Sequence, residues 1–263
     1  MILRFAKWQG AGNDFILVDD RNGQFAAHDE GLVRQLCDRH FGVGSDGLIL
    51  VKQATMDGVA FHVEFYNPDG SRSFCGNGSR CAFAFWSALQ GGADRAAFSA
   101  YDGVHHAAWH HGEVALTMRD TLPVCLSGDD PTADKVDTGS PHEIVHVEDL
   151  VSTDVRTEGR RRRNAAAHLP GGTNVNFVRV HEGRVHMRTY ERGVEDETLS
   201  CGTGVVAAAL SAIHRGLAVS PVVVETAGGI LQVEARSGID GFADIRLIGP
   251  AVEVFSGAIR LDR

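Results

Sequence analysis

The feature that most constrains this fold is a Cys-Gly-x-Gly turn that occurs twice, each time directly before an apolar segment of helix length. The first turn is CGNG at 75–78 and the second is CGTG at 201–204, so the two cysteines lie 126 positions apart (201 − 75 = 126). The segments that follow are apolar on almost every side, and a helix without a polar face must be buried all round. The chain is therefore expected to build two similar units, each with one central helix.

Strand-length apolar segments surround both helices. In the first half they are LRFAKWQ, DFILVDD, GLILVKQ, VAFHVEFYN and the RAAFSA to EVALTM region with turns at 102–103 and 111–112; in the second half they are EIVHV, TNVNFVRV, RVHMRTYER, VVVET, GILQVEA and ADIRLI. The stretch HDEGLVRQLCDRHFGVG has the start and stop residues of an amphipathic helix. Few other amphipathic helices can be found, so ordinary βαβ winding fits the pattern worse, and the period is too long for a solenoid.

The predicted fold class is therefore α/β (α+β), with two pseudo-symmetric domains that each wrap a curved mixed sheet around a buried helix. The first domain is predicted at 1–120, completed by about 251–263, and the second at 121–250. A polar, proline-containing stretch near 122–131 is predicted to separate them.

Composition excludes several other classes of protein. The chain has 263 residues and a formal net charge of −9, which disfavours nucleic acid as a partner, and no apolar run is long enough for a membrane span. The start reaches Gln9 and Gly10 too early for a secretory leader, and five cysteines are an odd number, so we expect reduced thiols in a cytoplasmic protein. The basic run at 160–163 is predicted to be a solvated loop. A homodimer is one alternative that the sequence leaves open.

The cysteine turns predict acid–base chemistry. The first N–H groups of a helix have no partners within the helix, so they can hold an anion such as a carboxylate. A cysteine at the same place lies near the positive end of the helix dipole. The dipole stabilises the thiolate and lowers the pKa of the thiol below its usual value of about 8.5. If two such thiols flank one α-carbon, the thiolate on one side can remove the proton while the thiol on the other side delivers one, which inverts the centre.

The cysteines also have other interpretations. An isolated cysteine before a helix is most often a small core residue. Cys75 and Cys81 could belong to a metal site, but no second pair of ligands completes one. Cys81 and Cys37 fall in predicted helices and are expected in the core, whereas Cys125 lies in the predicted linker and has no motif.

Six segments together resemble the diaminopimelate epimerase family. They are GAGNDFILVD, RHFGVGSDGLIL, FYNPDGSRSFCGNGSRC, GSPH, GGTNVNFV and YERGVEDETLSCGTG, which span the chain in the family order. The resemblance implies interconversion of LL-2,6-diaminopimelate and its meso form in lysine biosynthesis, without pyridoxal phosphate or metal. It also implies two α/β domains with the active site in the cleft between them.

The resemblance also implies roles for particular residues. Cys75 and Cys201 would be the acid–base pair, with His142 and Glu191 near them to adjust their proton affinity. Residues expected to contact the substrate are Asn13, Gly47, Asn67, Gly76, Asn77, Asn174, Glu191, Arg192, Gly202 and Thr203. Of these, Gly76, Asn77, Gly202 and Thr203 would hold the reacting carboxylate through helix-start amides.

Each of these residues also has an ordinary structural interpretation. Asn13 and Asn67 resemble turn residues, and Arg192 could be a member of a surface ion pair. The chain departs from the family pattern at Ser140, where many members carry Asn, and at Gly47, where some carry Gln; both changes concern the distal end of the substrate. Rival functions are a proline or hydroxyproline racemase, which shares the two-thiol plan, and a non-catalytic amino-acid-binding or redox-sensing protein of the same fold.

Overall fold

The computed structural model describes residues 2–25, 29–128 and 130–261. Within these ranges the strands are β1 Ile2–Gly10, β2 Asn13–Asp19, β3 Gly47–Gln53, β4 Phe61–Tyr66, β5 Arg95–Ala100, β6 Gly103–His110, β7 Glu113–Thr117, β8 Cys125–Ser127, β9 Asp130–Asp137, β10 Pro141–His146, β11 Asn174–His181, β12 Arg184–Glu191, β13 Asp196–Thr198, β14 Val222–Thr226, β15 Gly229–Gly238, β16 Gly241–Gly249 and β17 Val252–Arg260. The helices are α1 Glu30–Cys37, α2 Gly76–Leu89, α3 Val155–Arg163 and α4 Gly202–His214, with a short 3-10 helix at Ala166–His168.

The chain divides into two compact units. Unit 1 takes residues 1–116 and 249–263, and unit 2 takes residues 117–248. The mixed α/β class and the two similar halves agree with the sequence prediction, whereas the predicted domain boundaries stay a prediction. No helix in the described part of the chain is both long and apolar enough to cross a membrane.

Both units pair their strands in the same pattern. In unit 1 the order is β17-β1-β2-β3-β4-β5-β6-β7, with parallel pairs at β2–β3 and β4–β5 and antiparallel pairs elsewhere. In unit 2 the order is β8-β9-β10-β11-β12-β14-β15-β16, with parallel pairs at β10–β11 and β12–β14. The sequence repeat of the two Cys-Gly turns is therefore a repeat of the whole topology.

A central helix lies against the inner face of each sheet. Helix α2 contacts β1, β2, β3, β4 and β6, and helix α4 contacts six strands from β9 to β15. A helix can reach so many strands only where the sheet curves around it. The inner position agrees with the all-apolar sequences, because Cys81, Phe83 and Val206 are completely buried.

Helices α1 and α3 cover the outer faces. Val33 and Leu36 of α1 pack in one cluster with apolar residues of β2 and β3. Val155 of α3 packs with Phe177 and Tyr190 of β11 and β12. Strands β3 and β11 are thus buried on both sides, which explains their nearly continuous apolar runs.

The basic run at 160–163 is a correction to the sequence prediction, because it forms the end of helix α3 and not a loop. The helix is capped by Asp154, which accepts from the Thr157 N–H at 3.1 Å. Arg162 is mostly buried and pairs with Asp130 at 2.9 Å and with Glu158 at 2.9 Å. The sequence did not predict this helix, because only Val155 and Gly159 are buried. Two buried residues are too few to show the regular spacing of apolar residues that marks an amphipathic helix.

The predicted linker near 122–131 also contains regular structure. Strand β8 begins at Cys125, and β9 begins at Asp130 and pairs with β10. Both strands escaped prediction because their sequences, CLS and DPTADKVD, are short or polar. Neighbouring strands supply their hydrogen bonds, so tertiary pairing overrides the weak local preference.

Candidate active site

In unit 1, Cys75 is the residue that caps the N-terminus of α2. Its backbone is extended (φ −133°, ψ 111°), and its Sγ accepts from the Gly78 N–H at 3.4 Å. The same sulfur donates to Asn13 Oδ1 at 3.8 Å. Asn13 reaches this position because a tight turn through Ala11 (φ 53°) and Gly12 (φ 79°) joins β1 to β2, and such a turn needs two positive φ angles. The predicted residues Cys75 and Asn13 are therefore in contact.

Hydrogen bonds fix the orientation of the two amides beside Cys75. Asn13 donates from Nδ2 to Asp46 Oδ2 at 2.7 Å, and a carboxylate can only accept, so the Asn13 oxygen must face Cys75. Arg80 donates to Asn77 Oδ1 at 3.0 Å, so the Asn77 nitrogen is left to donate to Asn13 Oδ1, which it does at 3.4 Å. Arg80 has no exposed surface. Sequence reasoning missed both Asp46 and Arg80.

Asn67 and Gly47 have local structural roles in the same unit. Asn67 donates from Nδ2 to Ser71 Oγ at 3.0 Å and to Ser73 Oγ at 3.2 Å, which organises the loop that leads from β4 to Cys75. A Cβ at Gly47 would lie 2.4 Å from Cε2 of Phe65, so the site has no room for a side chain. Gly47 can therefore offer a ligand only its backbone, and its predicted substrate contact stays a prediction.

In unit 2, Cys201 occupies the equivalent place at the start of α4. Its backbone is again extended (φ −120°, ψ 110°), and the residue is 8% exposed. Its Sγ lies 3.5 Å from Thr203 Oγ1. Thr138 donates from its hydroxyl to the Thr203 carbonyl at 3.2 Å and so ties the helix start to the end of β9. Gly202 is buried in the first turn, beside Cys201.

His142 lies at the start of β10 and is buried, with 1% of its surface exposed. Its Nδ1 lies 3.1 Å from Nδ2 of Asn176, and its Nε2 has no hydrogen-bond partner among the described residues. Burial and, to a smaller extent, the charge of Arg192 lower the pKa of His142 to about 3, so the imidazole is neutral near pH 7. A neutral imidazole with one buried and unbonded nitrogen is ready to bind a ligand atom.

The other predicted residues of unit 2 form a connected group. Asn174 donates to Ser140 Oγ at 2.9 Å and accepts from the Arg192 backbone N–H at 2.9 Å. Ser140, where the chain departs from the family pattern, thus holds the side chain of Asn174. Glu191, at the end of β12, accepts from the Thr198 hydroxyl at 2.7 Å. The backbone of Arg192 is therefore adjacent to the side chain of Asn174.

The remaining cysteines differ from the two helix-capping ones. Cys37 and Cys81 are buried free thiols, and burial raises the pKa of both, for Cys81 to about 12. Such thiols are inert at neutral pH. Cys125 is an exposed free thiol in β8. The prediction that Cys37 and Cys81 are core residues is confirmed. In the described ranges, no cluster of three or more His, Cys, Asp or Glu residues could hold a metal ion.

The fold of the chain is similar to that of several solved structures. It is similar to a phenazine biosynthesis protein of the PhzF family from Bacillus anthracis, with a TM-score of 0.74 at 15% identity, over 99% of this chain and 100% of that one. It is also similar to a hydroxyproline epimerase from Agrobacterium vitis, with a TM-score of 0.69 at 16% identity, over 100% and 93% of the two chains. At these identities the likeness concerns the fold alone, and it confirms the predicted fold class.

Sequence comparison gives the family. The diaminopimelate epimerase family model matches residues 5–121 and 135–241. Diaminopimelate epimerases from Flavobacterium psychrophilum and Aquifex aeolicus are 38% and 37% identical to the chain, each over 98% of it and over 100% and 98% of their own lengths. A relative of the same name from Chlorobaculum tepidum is 40% identical over 96% of the chain and 99% of its own length. The chain belongs to the diaminopimelate epimerase family.

Proposed function

We propose that this protein is a cofactor-independent diaminopimelate epimerase, in which Cys75 and Cys201 invert one α-carbon by a thiolate–thiol mechanism. Family membership over nearly the whole chain supports the substrate and the reaction class. The observation that carries the mechanism is the duplicated half-site: in each unit a cysteine is the capping residue of a buried helix that begins with glycine. The reaction belongs to lysine biosynthesis.

The mechanism requires one sulfur as base and the other as acid. When one isomer binds, a thiolate removes the α-proton while the opposite thiol delivers a proton to the other face; the reverse reaction exchanges these roles. In unit 1 the Cys75 sulfur donates to Asn13 Oδ1 at 3.8 Å and accepts from the Gly78 N–H at 3.4 Å, so its surroundings offer partners to both the thiol and the thiolate. His142 and Glu191 are proposed to adjust the proton affinity of the sulfurs.

The starts of α2 and α4 are proposed to hold the reacting carboxylate. The N–H groups of Gly76, Asn77, Gly202 and Thr203 are in the first helical turns, where they have no partner four residues back. They stabilise negative charge that develops on the carboxylate as the α-proton leaves, which is the largest electrostatic demand of the reaction.

The second amino-carboxylate head of the substrate needs polar anchors. Asn174 accepts from the backbone N–H of Arg192, and the Arg192 guanidinium is suited to bind a carboxylate through two parallel hydrogen bonds. Asn13, Gly47, Asn67 and Glu191 complete the proposed substrate contacts, with Gly47 acting through its backbone.

The test is replacement of each capping cysteine by serine. Cys75→Ser and Cys201→Ser should each lower turnover by at least about 10²-fold in both directions, because each removes one acid–base group. Cys125→Ser is the matched control, since it makes the same chemical change at an exposed thiol. Turnover is measured with purified protein and LL-diaminopimelate in heavy water, by the appearance of the meso isomer and of α-deuterium. Near-normal turnover in either capping variant would refute the two-thiol mechanism.

The same assay separates the rival functions. A proline or hydroxyproline racemase would exchange the α-proton of the ring amino acid, and a binding protein would exchange neither. Exchange with diaminopimelate and none with proline is the expected result.

Assembly and location complete the proposal. A homodimer is one alternative, and β17 offers a surface for it, because its second edge pairs with no described strand of unit 1 and Val254 and Phe255 are exposed. Solution scattering would measure the mass. A cytoplasmic location remains a prediction from the sequence.

A further inference from the structure

The two units differ at one set of equivalent positions on the inner faces of their sheets. The strand pairings show which residues of the two units are equivalent. Strands β2 and β3 of unit 1 correspond to β10 and β11 of unit 2, and Phe15 pairs with Gly47 in the first pair as His142 pairs with Asn174 in the second. Two residues further along, Ile49 is opposite Phe65 on β4, and Asn176 is opposite Thr189 on β12. The equivalent sets are therefore Phe15, Ile49 and Phe65 in unit 1 and His142, Asn176 and Thr189 in unit 2.

The first set is apolar and the second is polar, although all six residues are buried. Phe15 and Phe65 pack edge to face with their ring centres 6.0 Å apart. In unit 2, by contrast, the three side chains are hydrogen-bonded to one another, with no more than 2% of each exposed. Since unit 1 builds the same topology with apolar residues, the fold does not require the polar set. Burying polar groups is unfavourable unless they are bonded, so their presence points to a function.

The contacts of Asn176 fix the direction of these hydrogen bonds. Its Nδ2 lies 3.4 Å from the Glu143 backbone carbonyl, which can only accept. The amide must therefore place its NH₂ group on that side, and the same NH₂ group lies 3.1 Å from Nδ1 of His142. The Asn176 oxygen accepts from the Thr189 hydroxyl at 3.0 Å. Nδ1 of His142 is consequently an acceptor, and the proton of the neutral ring is on Nε2.

We propose that Asn176 is a positioning residue that fixes His142 as the Nε2–H tautomer, so that His142 donates a hydrogen bond to an anionic acceptor and does not act as a general base. Nε2 is the buried nitrogen that has no partner among the described residues. The acceptor is a carboxylate oxygen or a thiolate, the two anions of the proposed reaction. This catalytic consequence rests on the proposed function, whereas the tautomer itself does not.

The tautomer is measured directly by long-range ¹H–¹⁵N correlation on the full chain labelled with ¹⁵N-histidine. The signals of His142 are identified by their absence from a His142→Gln spectrum. The unsubstituted protein should show His142 with a protonated Nε2 and an unprotonated Nδ1. A protonated Nδ1 would overturn the proposal, and this measurement needs no variant that must fold with an altered core.

A variant then tests the role of Asn176. Asn176→Asp has nearly the same shape but presents an acceptor to Nδ1, so it should move a proton onto Nδ1 and lower kcat by about 10²-fold, as removal of an oriented donor does. Asn164→Asp is the control, because Asn164 is an exposed residue that caps the end of α3 and should leave both readouts unchanged. An unchanged tautomer or a normal kcat in Asn176→Asp would contradict the proposal.

The outcomes separate this proposal from the proposed function. If the His142 tautomer is as expected while the capping-cysteine variants keep their turnover, the mechanism fails and the tautomer assignment stands. If the cysteine variants are inactive while Nδ1 is protonated, the mechanism stands and the role given to Asn176 fails.

Discussion

The second glycine of each Cys-Gly-x-Gly turn allows a matched test of how tightly the two half-sites are packed. A Cβ at Gly204 would lie 2.5 Å from Oδ1 of Asn176, which is far inside contact distance. A Cβ at the equivalent Gly78 would lie 3.1 Å from Cδ1 of Ile49, the flexible tip of an aliphatic side chain. The same substitution by alanine should therefore destabilise unit 2 and not unit 1.

The magnitudes follow from the contacts. Alanine stabilises a helix by up to about 1 kcal/mol relative to glycine, so this gain is common to both variants. At position 204 it is opposed by overpacking, about 1–3 kcal/mol, and by the loss of a buried hydrogen bond of Asn176, a further 1–3 kcal/mol or so. Gly204→Ala should thus destabilise the protein by about 3 kcal/mol, whereas Gly78→Ala should be neutral or stabilising by up to about 1 kcal/mol.

The assay is urea denaturation monitored by far-ultraviolet circular dichroism. The free energies of unfolding are compared between variants that have the same m-value, the slope of the free energy against urea concentration. The double variant Gly204→Ala/Asn176→Ala serves as the control, because removing the amide removes the overlap. In that background Gly204→Ala should be neutral or stabilising by up to about 1 kcal/mol relative to Asn176→Ala. Equal stability of the Gly204→Ala and Gly78→Ala proteins would refute the packing argument. So would an undiminished effect of Gly204→Ala in the Asn176→Ala background.

Two further predictions concern buried ionisable groups. The pKa of His142 is about 3 in the folded chain and about 6.5 when unfolded, so between these values the unfolded chain binds a proton that the native state excludes, and stability falls as the pH falls. His142→Gln should therefore lose about 2 kcal/mol less stability than the unsubstituted protein between pH 7 and pH 5, and an identical pH dependence would contradict the assignment. Burial raises the pKa of Asp134, but hydrogen bonds from His146, from Arg215 at 2.7 Å and from Ser211 at 2.6 Å outweigh burial and lower it. Asp134→Asn should lower the free energy of unfolding at pH 7 by about 3 kcal/mol, measured by thermal and urea denaturation, while the exposed control Asp149→Asn should change it little.

The sequence alone predicted most of the regular structure near the site. Helices α2 and α4 were evident because an all-apolar helix can only be central, and the buried strands β3 and β11 were evident from their apolar runs. The polar strand β9 and the arginine-rich helix α3 could not be predicted, because tertiary pairing and ion pairs hold them in place of local apolar periodicity.

The candidate site divides in the same way. The capping cysteines and the glycines that follow them are local features, so their spacing in the sequence was enough to identify them. Asp46, Asn176 and Thr189 gave no such signal, since each acts on a residue that is distant in the chain. Arg80 acts on Asn77, only three positions away, but its place within an apolar helix did not reveal that contact.

The sequence by itself determined the duplicated architecture and the family, and it identified the two cysteines of the proposed reaction, because these features depend on short-range sequence patterns. Only the tertiary structure decided which way each amide faces and which nitrogen of His142 carries the proton. The physical reason is that both depend on which groups donate and which accept in each hydrogen bond. Those partners lie on strands that are far apart in sequence and meet only when the sheet forms.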